Sequence, residues 1–128
     1  MLLLNESEFA EYSLQFMNSK RMPSKNVFCR RFRALFGVDC SVAFKVWYLL
    51  QTTNVLQIKK YDPTHLLMSL YFLKSYSTEA QISSHFSVDE KTYRKLLWVY
   101  IGGLSKISLL YVSSNYVCYV INFYHLKF

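Results

Sequence analysis

Ser77–Trp98, STEAQISSHFSVDEKTYRKLLW, is the stretch whose reading decides the fold. Ser77 or Thr78 can cap a short helix running through Phe86, and a second helix follows after a tight turn. Ser87-Val88-Asp89-Glu90 has the form of a capping box, in which the Ser87 hydroxyl accepts from the N3 amide while Glu90 reaches back to the Ser87 amide. Asp89 and Glu90 also suit the positive end of a helix. The second helix is expected to run to about Ile101 and to end at Gly102-Gly103. Two helices at this spacing form a helix-turn-helix (residues 77–101), the unit that sets side chains into the major groove of DNA.

Ile82, Phe86, Val88, Tyr93 and Leu96 fall where the two helices cross, and Ser83 is small where their backbones approach. The outward positions of the second helix are then Asp89, Glu90, Lys91, Arg94, Lys95 and Trp98. Lys and Arg there suit guanine edges and phosphates; a carboxylate repels phosphate and can only accept from a cytosine amine. The bland reading of the same residues is a helical hairpin with a solvated charged face.

Working outward, Asn5–Met17 fits a short acidic helix, with Phe9, Tyr12, Leu14 and Phe16 as its apolar positions, and Ser19–Asn26 is a polar, basic linker. Val27–Phe36 places Val27, Phe28, Phe32, Leu35 and Phe36 on one side of a helix and Arg30, Arg31 and Arg33 on the rest, with Gly37 as its natural stop. Ser41 reads as the N-cap of a helix to about Thr52 that buries Val42, Val46, Leu49 and Leu50. Asp62-Pro63 is a helix start, and Leu66, Leu67, Leu70 and Leu73 supply its buried stripe.

The 128 residues make one domain, with 52% hydrophobic and 18% aromatic content that excludes a disordered chain. The net charge of +7 is unevenly spread: Glu6, Glu8 and Glu11 stand alone in residues 1–18, whereas residues 19–106 carry 14 Lys/Arg against five Asp/Glu. A basic middle points to an anionic partner. Cys29, Cys40 and Cys118 form no CxxC, which suits a reducing, intracellular compartment, and no secretory signal is evident. His65, His85 and His125 are far apart; His85 reads as a helix-end or phosphate-facing residue. With no Walker loop, GxSxG or HExxH, the residues suggest neither catalysis nor a metal or cofactor.

The tail changes character. Ile107–Tyr124, ISLLYVSSNYVCYVINFY, is 18 residues without a charge. Leu109–Val112 and Tyr116–Phe123, joined by Ser113-Ser114-Asn115, read as a β-hairpin. A membrane span is the rival reading, opposed by the polar centre and Asn122. A third is the end of a truncated reading frame.

FRALFGVDCSVAFKVWYLL (Phe32–Leu50) and HLLMSLYFLKSYSTEAQISSHFSVDEKTYRKLLWVYI (His65–Ile101) together resemble the N-terminal helical region of Harbinger-type transposases. The resemblance covers roughly Val27–Ile107, and its most specific elements are FGVD with Trp47 downstream and YFLKSYSTEAQISSHFSVDEKTYRK. It implies a helical DNA-binding segment of the kind that precedes an RNase H-like DDE nuclease domain, acting in a nucleus. Such helix-turn-helices often have Gly where this chain has Ser87. After Lys106 there is no Asp or Glu, so the family's catalytic carboxylates map onto no residue here. The resemblance therefore implies a truncated or domesticated fragment without nuclease activity.

The sequence thus leads to a mainly α chain. Residues 1–26 hold an acidic helix and basic linker, 27–106 a helical bundle with the helix-turn-helix, and 107–128 an apolar aromatic tail. Double-stranded DNA is the expected partner, with Lys91, Arg94, Lys95, Glu90 and Trp98 on the reading face and Arg30, Arg31, Arg33, Lys59 and Lys60 as a phosphate-binding set. The alternative, favoured by 23 Tyr, Phe and Trp, is a non-catalytic interaction subunit of a larger complex with a vestigial DNA surface. Self-association or a protein partner would then use the tail; a membrane-associated protein ranks third.

Overall fold

The computed structural model of the protein describes residues 4–110. The chain begins with a reciprocal cap: Asn5 Oδ1 accepts from the Glu8 amide at 2.8 Å, and Glu8 Oε1 accepts from the Asn5 amide at 3.2 Å. This starts α1 (Glu6–Ser13), and the chain then tightens into a 3-10 turn (Leu14–Phe16). The acidic helix expected through Met17 therefore ends as an α-helix four residues early, and Asn18, at φ 56°, turns the chain away. Phe9, Leu14, Phe16 and Met17 are all buried in the common core, so the acidic start is part of the bundle.

α2 (Lys25–Phe36) buries Phe28, Phe32 and Phe36 and leaves its arginines outside. Gly37 stops it as expected, in the left-handed region at φ 80° with its N–H on the Arg33 carbonyl at 2.8 Å. α3 (Cys40–Thr53) starts from Asp39 rather than Ser41, which lies exposed inside the first turn. Asp39 leaves its own helix amides uncapped and directs its carboxylate to Arg33, accepting from Nε at 2.9 Å. Ala43, Val46, Trp47 and Leu50 carry the α3 seam.

α4 (Pro63–Ser75) is capped by Asp62, which accepts from the Thr64 amide at 2.9 Å, with Pro63 in the first turn. Leu66, Leu67, Met68, Ser69, Leu70 and Leu73 are all buried, and a helix buried on most of its circumference must be central. It packs against α1, α2 and the two last helices, α5 (Glu79–Phe86) and α6 (Glu90–Leu110), which also pack on each other. The result is a bundle around α4, with no strand among the described residues.

Asp62 also joins three elements. Its Oδ1 accepts from Tyr12 of α1 at 3.1 Å, and its amide donates to Tyr100 of α6 at 3.3 Å. Burial pushes the Tyr100 phenol up to about 12 and raises that of Tyr12, so both stay protonated near neutral pH.

The end of α6 departs from expectation. Gly102-Gly103 do not stop it, because packing decides there. A Cβ on Gly103 would collide with Leu56 and lie 3.2 Å from Leu50 Cδ2, so this glycine lets α6 close on the end of α3. The helix crosses the 106/107 boundary, and Ile107 is fully buried. Leu109 and Leu110, expected to open a hairpin, are helical; the rest of that hairpin lies outside the described residues. Among the described residues no helix is long and apolar enough to cross a membrane.

Candidate nucleic-acid interface

The turn between α5 and α6 is Ser87-Val88-Asp89. Thr78 caps α5 by a reciprocal pair with Gln81, Thr78 Oγ1 accepting from the Gln81 amide at 3.2 Å and Gln81 Oε1 from the Thr78 amide at 3.1 Å. At the other end, the Val88 amide donates to the Ser83 carbonyl at 2.9 Å and the Ser87 amide to Ser84 at 3.3 Å. That pair of bonds needs a left-handed residue, and Ser87 supplies it at φ 54°, ψ 42°.

The capping box expected at Ser87 is therefore not formed. An N-cap residue has extended backbone, and Ser87 cannot be extended while it closes α5. The cap moves to Asp89, whose carbonyl accepts from the Tyr93 amide at 2.8 Å and whose Oδ2 accepts from Thr92 at 3.3 Å. The helix begins two residues later than the serine implied.

Ile82, Ser83, Phe86 and Tyr93 are buried between the helices as expected; Val88 and Leu96 are only partly covered, and Leu97 takes the buried place instead. Tyr93, with 1% of its surface exposed, has its phenol pushed up to about 12 by burial. His85 does not face outward as a phosphate contact. Its ring stacks on Tyr71 at 5.2 Å, and Nε2 sits 2.9 Å from the Phe16 carbonyl, which fixes α5 to the 3-10 turn.

Glu90, Lys91, Arg94, Lys95 and Trp98 are all exposed on α6. Arg94 is already engaged: it donates from Nε to Glu79 Oε1 at 3.0 Å and from Nη2 to Oε2 at 2.9 Å. The fork spans α5 and α6 and, through its hydrogen bonds, holds the Glu79 carboxyl below the usual range. Lys91 and Lys95 lie one helical turn apart, and Trp98 follows on the same face.

The second basic set divides. Arg30 and Arg33 line a surface depression of about 490 Å³ with Cys29, Ala34 and Lys74. Lys74, which the sequence pattern did not single out, joins them because α2 packs beside α4. Arg31 lies outside this lining and donates to Ser19 Oγ at 3.4 Å. Lys59 and Lys60 line a different depression, of about 500 Å³, among Gln51, Thr52, Asn54, Ile58 and Tyr61. Among the described residues no His, Cys, Asp and Glu converge as metal ligands.

Compared with protein-family models, curated proteins and solved structures, the chain matches none.

Proposed function

We propose that the chain binds double-stranded DNA through a helix-turn-helix formed by α5, the Ser87–Asp89 turn and α6. The observation that carries this reading is the exposed face of α6. Lys91, Arg94, Lys95 and Trp98 stand on one side of a helix whose other side, Tyr93, Leu97 and Tyr100, is buried. A helix so divided, preceded by a short helix and a three-residue turn, can present its first turns to a major groove while the bundle holds its back.

Lys91 and Lys95 act on phosphates, Arg94 on a guanine edge once released from Glu79, and Arg30 and Lys74 offer a second phosphate contact that Arg33 joins once released from Asp39. The origin proposed for this unit is the DNA-binding region of a Harbinger-type transposase; the support is the sequence resemblance alone. A docking role is less supported: among the described residues only Tyr48, Tyr76, Trp98 and Met22 are exposed large apolar side chains, because the core absorbs the other described aromatics wholly or in part.

Titration of a fluorescent duplex at two or more salt concentrations tests the proposal. Log affinity should fall linearly with log salt, with a slope of several phosphates. Affinity indifferent to salt, or no binding at low salt, refutes it.

A further inference from the structure

α6 carries two stripes. Tyr93, Leu97, Tyr100, Leu104 and Ile107 recur at four- and three-residue steps and are buried. Lys91, Lys95, Trp98, Gly102 and Lys106 recur in the same way on the opposite side and are exposed. No carboxylate occurs from Lys91 to Leu110.

Two residues of the outer stripe have no explanation among the described residues. Trp98 is 59% exposed, while the other tryptophan, Trp47, is fully buried. Among the described residues, Gly102 has no atom within 4 Å of where a Cβ would stand, unlike Gly103, which packs against Leu56 and against Leu50 of α3. An exposed mid-helix glycine is disfavoured relative to alanine. Its effect is to leave the helix bare one turn beyond the indole.

We infer that Trp98 and the bare surface at Gly102 receive an unpaired nucleobase, so that the preferred substrate is duplex DNA with a single-stranded extension. This rests on the DNA-binding reading above and names its substrate more narrowly. Within a duplex both faces of a base are covered by its neighbours, so an indole can stack only on a base that has left the helix or lies at its end. Stacking needs an accessible aromatic ring with room beside it; Trp98 is mostly exposed, and no described atom crowds the position a Gly102 side chain would take. Lys91 and Lys106 lie about 10 Å and 12 Å from Trp98 along the axis, at the α-helical rise, on either side of the stacked base. They meet the flanking phosphates. An aromatic platform between cations is how proteins hold single strands without reading their sequence.

The test uses the full chain and three ligands of one duplex sequence: blunt, with a five-nucleotide thymidine overhang, and with a five-unit abasic overhang of equal charge. The thymidine overhang should bind about five- to a hundredfold tighter than the abasic one. It should also quench tryptophan emission, which at the surface comes from Trp98. Trp98→Ala should bring the ratio to one and Trp98→Phe should keep part of it, with circular dichroism confirming that both fold. Equal affinity for the two overhangs overturns this inference and leaves duplex binding intact. Failure to bind any of the three overturns both. Quenching that rises with protein concentration in the absence of DNA, without overhang preference, assigns Trp98 to a second copy and overturns it too.

Discussion

Arg94 and Glu79 form a two-bonded fork between α6 and α5, at 3.0 and 2.9 Å, and this fork sits at the centre of the exposed basic face. A guanidinium committed to a carboxylate cannot also grip a guanine, so under the proposed function DNA would have to compete with Glu79 for it. Glu79→Gln should raise duplex affinity by up to about fivefold, the scale of an exposed ion pair. Arg94→Ala should cost about 1–3 kcal/mol on the preferred site and relax its sequence preference. Because the Glu79 carboxyl titrates below its ordinary value, the fork is complete above the unfolded glutamate pKa and opens only as pH falls through the lowered one. The difference between wild type and Glu79→Gln should persist at pH 5. Anisotropy titrations of the variants check each point.

Ser87 closes α5 in the left-handed region, where a side chain costs about 1–2 kcal/mol relative to glycine. Ser87→Gly should therefore stabilise the fold by up to about 1 kcal/mol, and Ser87→Val should destabilise it. Asp89→Ala, which removes the real cap, should cost about 1 kcal/mol. Urea midpoints of the three variants decide whether Ser87 or Asp89 starts the helix.

The adjacent glycines of α6 should behave oppositely. Gly103→Ala forces a methyl against Leu56 and Leu50 and should cost about 1–3 kcal/mol. Gly102→Ala meets no atom of the described residues and should gain up to about 1 kcal/mol from helix propensity. Equal effects in thermal melts would show that α6 does not close on α3 at Gly103.

His65 gives the fold an acid sensitivity. Burial lowers its pKa, and Nδ1 has no hydrogen-bond partner among the described residues. The unfolded chain then binds the proton more readily, so stability holds above the unfolded histidine value near 6.5 and declines as pH falls below it. His65→Gln should flatten the stability profile between pH 7 and 5, measured by urea unfolding at each pH.

Local signals were readable wherever the helix end was settled by close neighbours in sequence. Asp62-Pro63, Gly37 and Thr78 mark their helix ends as the sequence indicates, since each cap depends on neighbours two to four positions away. Ser87, Ser41 and Gly102-Gly103 misled because a competing demand from another element decides each position. Ser87 satisfies α5 before it can serve α6; Asp39, not Ser41, heads α3 while holding Arg33; and Gly103 answers to Leu56. On the candidate face, the exposure of Lys91, Lys95 and Trp98 follows from helical spacing. The Glu79–Arg94 fork and the grouping of Lys74 with Arg30 and Arg33 come from helix packing, which spacing along one helix does not encode.

The hydrogen bond from His85 to the Phe16 carbonyl and the Asp62 oxygen shared with Tyr12 set a lower limit on what can be transplanted. A graft of residues 62–110 onto another protein would keep α4, α5 and α6 but leave His85, Phe86 and Asp62 facing water where the first helix had been. Portability requires α1 and its 3-10 turn to travel with them, although they lie more than forty residues away along the chain. The acidic start is thus the far wall of the room in which the basic helix stands.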